Sequence, residues 1–135
     1  MRLLIVSKTT LNNFRKKNTC NRWRWFLLAH IPLYLNAANL HMISSDFEGS
    51  PNSVKECICC NTPVVSTPVG NVPEMIGGIP GAYVTKGFTA EELAEDCNKV
   101  LSSNEAFEGR DKLLAKGYGM ACVAEKLNQI YNSIL

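Results

Sequence analysis

Two short apolar runs, residues 40–44 and 62–66, are separated by a stretch of helical character that opens at Pro51. Each run is too short for an ordinary helix and leads into small or polar residues, the pattern of a buried strand entering a loop. Strand, helix and strand at this spacing imply parallel pairing, because a parallel pair needs a crossover about as long as a helix.

The alternation continues on both sides. Residues 33–39 suit a short helix, residues 73–76 a single helical turn, and residues 82–84 an edge strand after the Gly77-Gly78 and Pro80-Gly81 breaks. Thr89 is placed to cap a helix with Glu92 three residues on, and Leu93, Cys97, Val100 and Leu101 form that helix's apolar stripe. Further helices are expected over residues 104–116 and 121–135, the last with Val123, Leu127, Ile130, Tyr131 and Ile134 on one side. Pro51 suits the first position of a helix over residues 51–60, where its missing N–H has no intrahelical partner to lose. Residues 33–135 therefore read as one α/β domain, a Rossmann-like parallel sheet with flanking helices. Residues 1–32 differ, with a strand-like run at residues 3–6 followed by a basic, aromatic lead-in that has no clean period.

A formal net charge of +2 over 135 residues is too small to imply nucleic acid as a partner, and none is expected. Arg15, Lys16, Lys17, Arg22 and Arg24, interleaved with Trp23 and Trp25, have the make-up of a surface for single-stranded nucleic acid or anionic lipid. A solvated lead-in is the expected reading. Of the six cysteines, Cys57, Cys59 and Cys60 are crowded and Cys20, Cys97 and Cys122 scattered, and neither His30 nor His41 completes a metal-binding spacing. No metal is expected, and the thiols read as reduced, mostly buried apolar residues. The N-terminal apolar run lacks the length and cleavage site of a signal peptide, and residues 25–35 fall short of a bilayer span. A cytoplasmic location is expected, with peripheral attachment to the inner membrane surface left open.

Open parallel sheets bind ligands beyond the carboxyl ends of their strands, which directs attention to residues 46–52. Gly49 and Ser50 would let the backbone approach a ligand, and the N–H groups opening the following helix favour an anion such as a diphosphate. Glu48 and Glu56, eight residues apart, would repel phosphates and suit neutral hydroxyls of a sugar or ribose. Read without further context, Glu48 is an acid favouring the helix dipole and Glu56 an exposed helix residue.

A longer pattern surrounds these residues. Glu48-Gly49-Ser50-Pro51-Asn52-Ser53-Val54-Lys55-Glu56 resembles the Glu, seven residues, Glu motif of the glycosyl transferases group 1, enzymes built from two Rossmann-like domains. Tyr34 to Leu40 resembles that family's Tyr-x-x-Ala-Asp segment, residues 61–70 its Gly-Thr-Pro-Val-Val run, and residues 124–131 its terminal helix. The resemblance implies an incomplete C-terminal, nucleotide-sugar-binding half of a retaining GT-B glycosyltransferase. It also implies no metal or cofactor beyond the nucleoside diphosphate sugar. By it, Glu56 accepts bonds from the donor ribose, Glu48 contacts the transferred sugar and is the candidate catalytic residue, and Gly49, Ser50, Pro51 and Asn52 cradle sugar and diphosphate.

The chain departs from the pattern at Asn39, in place of an acid, and at Asn61 and Asn71, in place of glycines; asparagine is expected to preserve left-handed turns there. The front part of the donor domain and the acceptor domain are not recognisable, so the isolated chain is expected to be nearly inactive. The implied partners are an acceptor glycan or lipid, and either a separate acceptor domain or a second copy. A non-catalytic binding or assembly module with the same fold is the alternative.

Overall fold

The computed structural model describes residues 4–6 and 30–134; the cluster of residues 15–25 and Cys20 lie outside these. Its sheet runs β1 (Leu4–Val6), β2 (Leu40–Ile43), β3 (Val64–Ser66), β4 (Tyr83–Val84). β2, β3 and β4 are mutually parallel, with His41 opposite Val64 and Val65 opposite Tyr83. β1, the strand-like run of the lead-in, pairs antiparallel with β2, Ile5 opposite His41, as an outer strand does on many otherwise parallel sheets.

The helices are α1 (Ile31–Ala37), α2 (Asn52–Cys59), α3 (Val72–Ile76), α4 (Ala90–Ser102), α5 (Arg110–Leu113) and α6 (Met120–Ile134). Alternate residues of a strand face opposite ways, and the core divides accordingly. Leu40 and Val65 pack with Leu93 and Val100 of α4 on one face. Ile43 and Val64 pack on the other with Leu35 of α1, Val54, Cys57 and Ile58 of α2, Met75 of α3 and Leu113 of α5. Val54, Cys57 and Ile58 are wholly buried, and a side chain such as Val54 or Ile58 contributes roughly 1.5–3 kcal/mol by leaving water.

Capping chemistry sets the boundaries. Thr89 and Glu92 form the expected capping box at α4. Asn61 holds φ 52, the left-handed geometry that ends α2, and its Oδ1 accepts from the N–H of Arg110 at 3.0 Å, opening α5. The asparagine thus closes one helix and caps another.

Three expectations need correction. Pro51 is the residue before α2 rather than its first: its φ of −65 fits either place, but ψ of 119 keeps it extended, and the helix starts at Asn52. The helix expected over residues 104–116 is reduced to α5 and a π turn, Leu114–Tyr118. Phe107 turns into the core beside Gly81 and Gly109, and Gly117 breaks the run at φ 86. The cysteines are less buried than expected: Cys57 is enclosed, whereas Cys59, Cys60, Cys97 and Cys122 are half-exposed, and all five are free thiols.

His41, on β2, is fully buried, and neither ring nitrogen has a hydrogen-bond partner among the described residues. Burial lowers its pKa to about 4, so the native imidazole is neutral at pH 7. The unfolded chain binds its proton near pH 6.5, so between that pH and about 4 the unfolded state holds more protons and is favoured. Stability is therefore expected to fall by about 3 kcal/mol from pH 7 to pH 4 on account of this group. Urea unfolding of the chain and of His41→Leu across that range checks it: the variant should lose the histidine's share of the slope.

Candidate functional site

The parallel pairing of β2 with β3 brings two loops to one edge of the sheet. The first, residues 44–51, leaves β2 and enters α2; the second, residues 67–71, leaves β3 and enters α3. They are bonded to each other. Thr67 Oγ1 donates to the carbonyl of Ser45 at 2.7 Å, and the N–H of Asn71 donates to the carbonyl of Gly49 at 3.0 Å. The N–H of Thr67 also donates to the carbonyl of Ile43 at 3.0 Å, extending the ladder past the strand end. Gly70, at φ 50, sits so close that a Cβ there would overlap the carbonyl oxygens of Gly49 and Glu48.

Within this frame Glu48 is half-buried, and its Oε1 accepts from Ser45 Oγ at 2.9 Å. One carboxylate oxygen is thereby tethered to its own loop, leaving the other able to accept from a ligand hydroxyl. Gly49, Ser50 and Asn52 are exposed, whereas Pro51 is buried beneath them. Asn52 and Glu56 stand one helical turn apart on the exposed face of α2, opposite the buried Val54, Cys57 and Ile58. Glu48, Gly49, Ser50 and Asn52 are thus gathered at the mouth of the loop, and Glu56 stands one turn further along α2.

Among the described residues no side chain caps α2, so its first-turn N–H groups gain no side-chain acceptor of the usual kind. Ser53, in that turn, is buried, and its Oγ has no hydrogen-bond partner among the described residues. Lys55 Nζ donates to Asn52 Oδ1 at 3.2 Å, placing a cation beside the start of the helix. Uncapped donors and an ammonium form an anion-receptive end, and the carboxylates beside it offer hydroxyl acceptors.

Ser45, Ser53, Lys55, Thr67 and Gly70 join the candidate site, although neither spacing nor resemblance assigns any of them a role. Thr67 and Gly70 had one available signal, their place directly after a strand parallel to the one that carries Glu48. Asn71 corrects an expectation: at φ −92 it needs no left-handed freedom, because Gly70 makes the turn.

Burial raises the pKa of Cys57 and Cys60, and that of Cys97 to about 11, which keeps these sulfurs protonated and weakly nucleophilic at neutral pH. Among the described residues no group of three or more His, Cys, Asp or Glu could hold a metal ion, and no helix is long and apolar enough to cross a membrane.

The sequence model of the glycosyl transferases group 1 matches residues 1–103. Among solved structures, sucrose-phosphate synthase from Thermosynechococcus elongatus is similar to this chain, with a TM-score of 0.68 and 21% identity. The match covers 76% of this chain and 27% of that one, so the chain spans about a quarter of that protein's length. At this identity the likeness shows a shared fold, the Rossmann-like α/β fold of a GT-B glycosyltransferase. No curated protein sequence matches.

Replacing Gly70 with Ala tests the contact between the loops. The variant is expected to lose about 2 kcal/mol or more of stability, from the left-handed backbone and the overlap together. Thr67→Val should lose about 1 kcal/mol, the share of one hydrogen bond. Denaturant unfolding measures both, and equal, negligible losses would mean that the loops are not held to each other.

Proposed function

The chain belongs to the glycosyl transferases group 1, and on that premise we propose that residues 44–56 recognise a nucleoside diphosphate sugar as donor for retaining glycosyl transfer. The observation that carries this reading is the uncapped start of α2 beside a tethered carboxylate, Glu48 held by Ser45. The first suits a diphosphate and the second a sugar hydroxyl, and a nucleoside diphosphate sugar presents both groups about one sugar apart.

In this reading the α2 N–H groups and Lys55 take the diphosphate and offset the charge that gathers on it as the glycosidic bond breaks. Glu48, the candidate catalytic residue, positions the transferred sugar through its hydroxyls. Glu56 accepts bonds from the ribose, one turn further along α2. Gly49 and Ser50 let the backbone close on the sugar, since neither has a bulky side chain. Acceptor binding and complete turnover call for surfaces beyond those described, consistent with a chain that spans 27% of its structural neighbour. An acceptor glycan or lipid, held by another domain, would meet the donor at this edge of the sheet.

Amide-detected NMR titration with UDP, GDP and ADP, and then with the matching nucleotide sugars, tests the proposal. Shifts should concentrate in residues 45–56 and 67–71 with one of the three bases. Glu56→Ala is expected to weaken binding of both nucleotide and nucleotide sugar by roughly 10- to 100-fold, the range for hydrogen bonds to a charged group. Glu48→Gln should weaken only the nucleotide sugar. If neither ligand class moves these amides while the spectrum stays dispersed, donor recognition is ruled out and the non-catalytic module is the better reading.

A further inference from the structure

α3 leads out of the second loop of the candidate site and is five residues long. A helix of this length is far below what holds together in water by itself, so its position depends on what it touches. Val72, Met75 and Ile76 bury one side of it in the core. Its C-terminal end has a different anchor. Lys116 Nζ donates to the carbonyl of Glu74 at 2.9 Å and to that of Gly77 at 2.6 Å, across 42 and 39 positions of chain. Carbonyls at the end of a helix lack intrahelical donors, and a cation there also meets the negative end of the helix dipole.

Lys116 is exposed, yet it is not placed as a solvated surface lysine. Among the described residues it makes no ion pair, and both of its bonds go to main-chain carbonyls. Its backbone belongs to the π turn Leu114–Tyr118, which follows the core residue Leu113 and is broken by Gly117 at φ 86. Single π turns are uncommon and occur often at functional positions. Here the turn aims a lysine of the C-terminal segment at the end of α3.

The other end of α3 has no slack. Asn71, the residue before it, donates its N–H to the carbonyl of Gly49 at 3.0 Å, and Gly70 lies against the carbonyls of Gly49 and Glu48. Backbone touches backbone there, with no side chain between to absorb a shift of α3. The helix, about 7.5 Å long at 1.5 Å per residue, is all that separates the anchorage at Lys116 from this contact.

We infer that Lys116 is a positioning residue for the candidate donor site: by holding the end of α3 it keeps Gly70 and Asn71 against the loop that carries Glu48 and Gly49. The inference rests on donor recognition by residues 44–56, and within that reading it concerns the sugar more than the nucleotide. Loop 67–71 meets the first loop at Ser45, Glu48 and Gly49, beside the residues assigned to the sugar, whereas Glu56 stands further along α2.

NMR titration of the full chain with a nucleoside diphosphate and with the matching nucleotide sugar tests it. Lys116→Met, which keeps the side chain's length and removes the ammonium, should lower affinity for the nucleotide sugar about 3- to 30-fold relative to that for the nucleoside diphosphate, the span of coupling through packed contacts. Loss of stability alone would weaken both ligands alike and leave that ratio unchanged. Lys112→Met, at an exposed lysine of α5 with no bond to α3, should behave as the parent does. Hydrogen exchange of the Asn71 N–H without ligand gives a second reading, and it should quicken about 3-fold or more in Lys116→Met. An unchanged affinity ratio in a chain that binds both ligands overturns the inference. A parent that binds neither ligand defeats the donor reading instead, and exchange at Asn71 then decides alone whether Lys116 holds the loop: an unchanged rate overturns that too.

Discussion

The site rests on backbone meeting backbone between two loops. Parallel strands side by side deliver their exit loops to the same edge, but they do not by themselves hold those loops together. Here that is done by Thr67 bonding to the Ser45 carbonyl, by Asn71 bonding to the Gly49 carbonyl, and by a glycine small enough to admit both carbonyls. The order in the loop passes to its side chains: Ser45 is held by its carbonyl and in turn holds Glu48 by its hydroxyl. A carboxylate restrained in this way enters binding with part of its rotamer entropy already lost, which favours recognition of a hydroxyl in one direction.

The elements legible in the sequence are those whose signal is local. The buried runs of β2 and β3, the Thr89 capping box and the stripe of α4 each depend on spacing alone, and each lies where its pattern indicates. The segment after α4 departs from its local pattern because its conformation is decided elsewhere. Residues 104–109 have acceptable helix formers, yet Phe107 packs half-buried against the core, and the start of α5 is supplied by Asn61 from across the fold. The antiparallel placement of β1 likewise depends on partner choice, to which a three-residue strand contributes almost nothing local.

At the site the division is the same. Glu48, Gly49, Ser50, Pro51, Asn52 and Glu56 lie within one short motif, which spacing and resemblance single out as the candidate site. The contacts that support them are not local: Thr67 and Gly70 act across some twenty positions of chain, and Ser53 is distinguished only by being buried without a partner among the described residues. His41 belongs in this group too: nothing in its immediate neighbours distinguishes a surface imidazole from one enclosed beside the sheet.

Asn61 gives the fold a mechanical property. Its backbone ends α2 and its side chain begins α5, while Arg110 Nε reaches back to the carbonyl of Cys59 at 2.5 Å. The helix whose first turn faces the candidate ligand is therefore clamped at its far end to a different part of the chain. α5 in turn places Leu113 in the core, so one helix spans the distance from the candidate ligand edge to the C-terminal segment, and a change in its length would alter the spacing between the two.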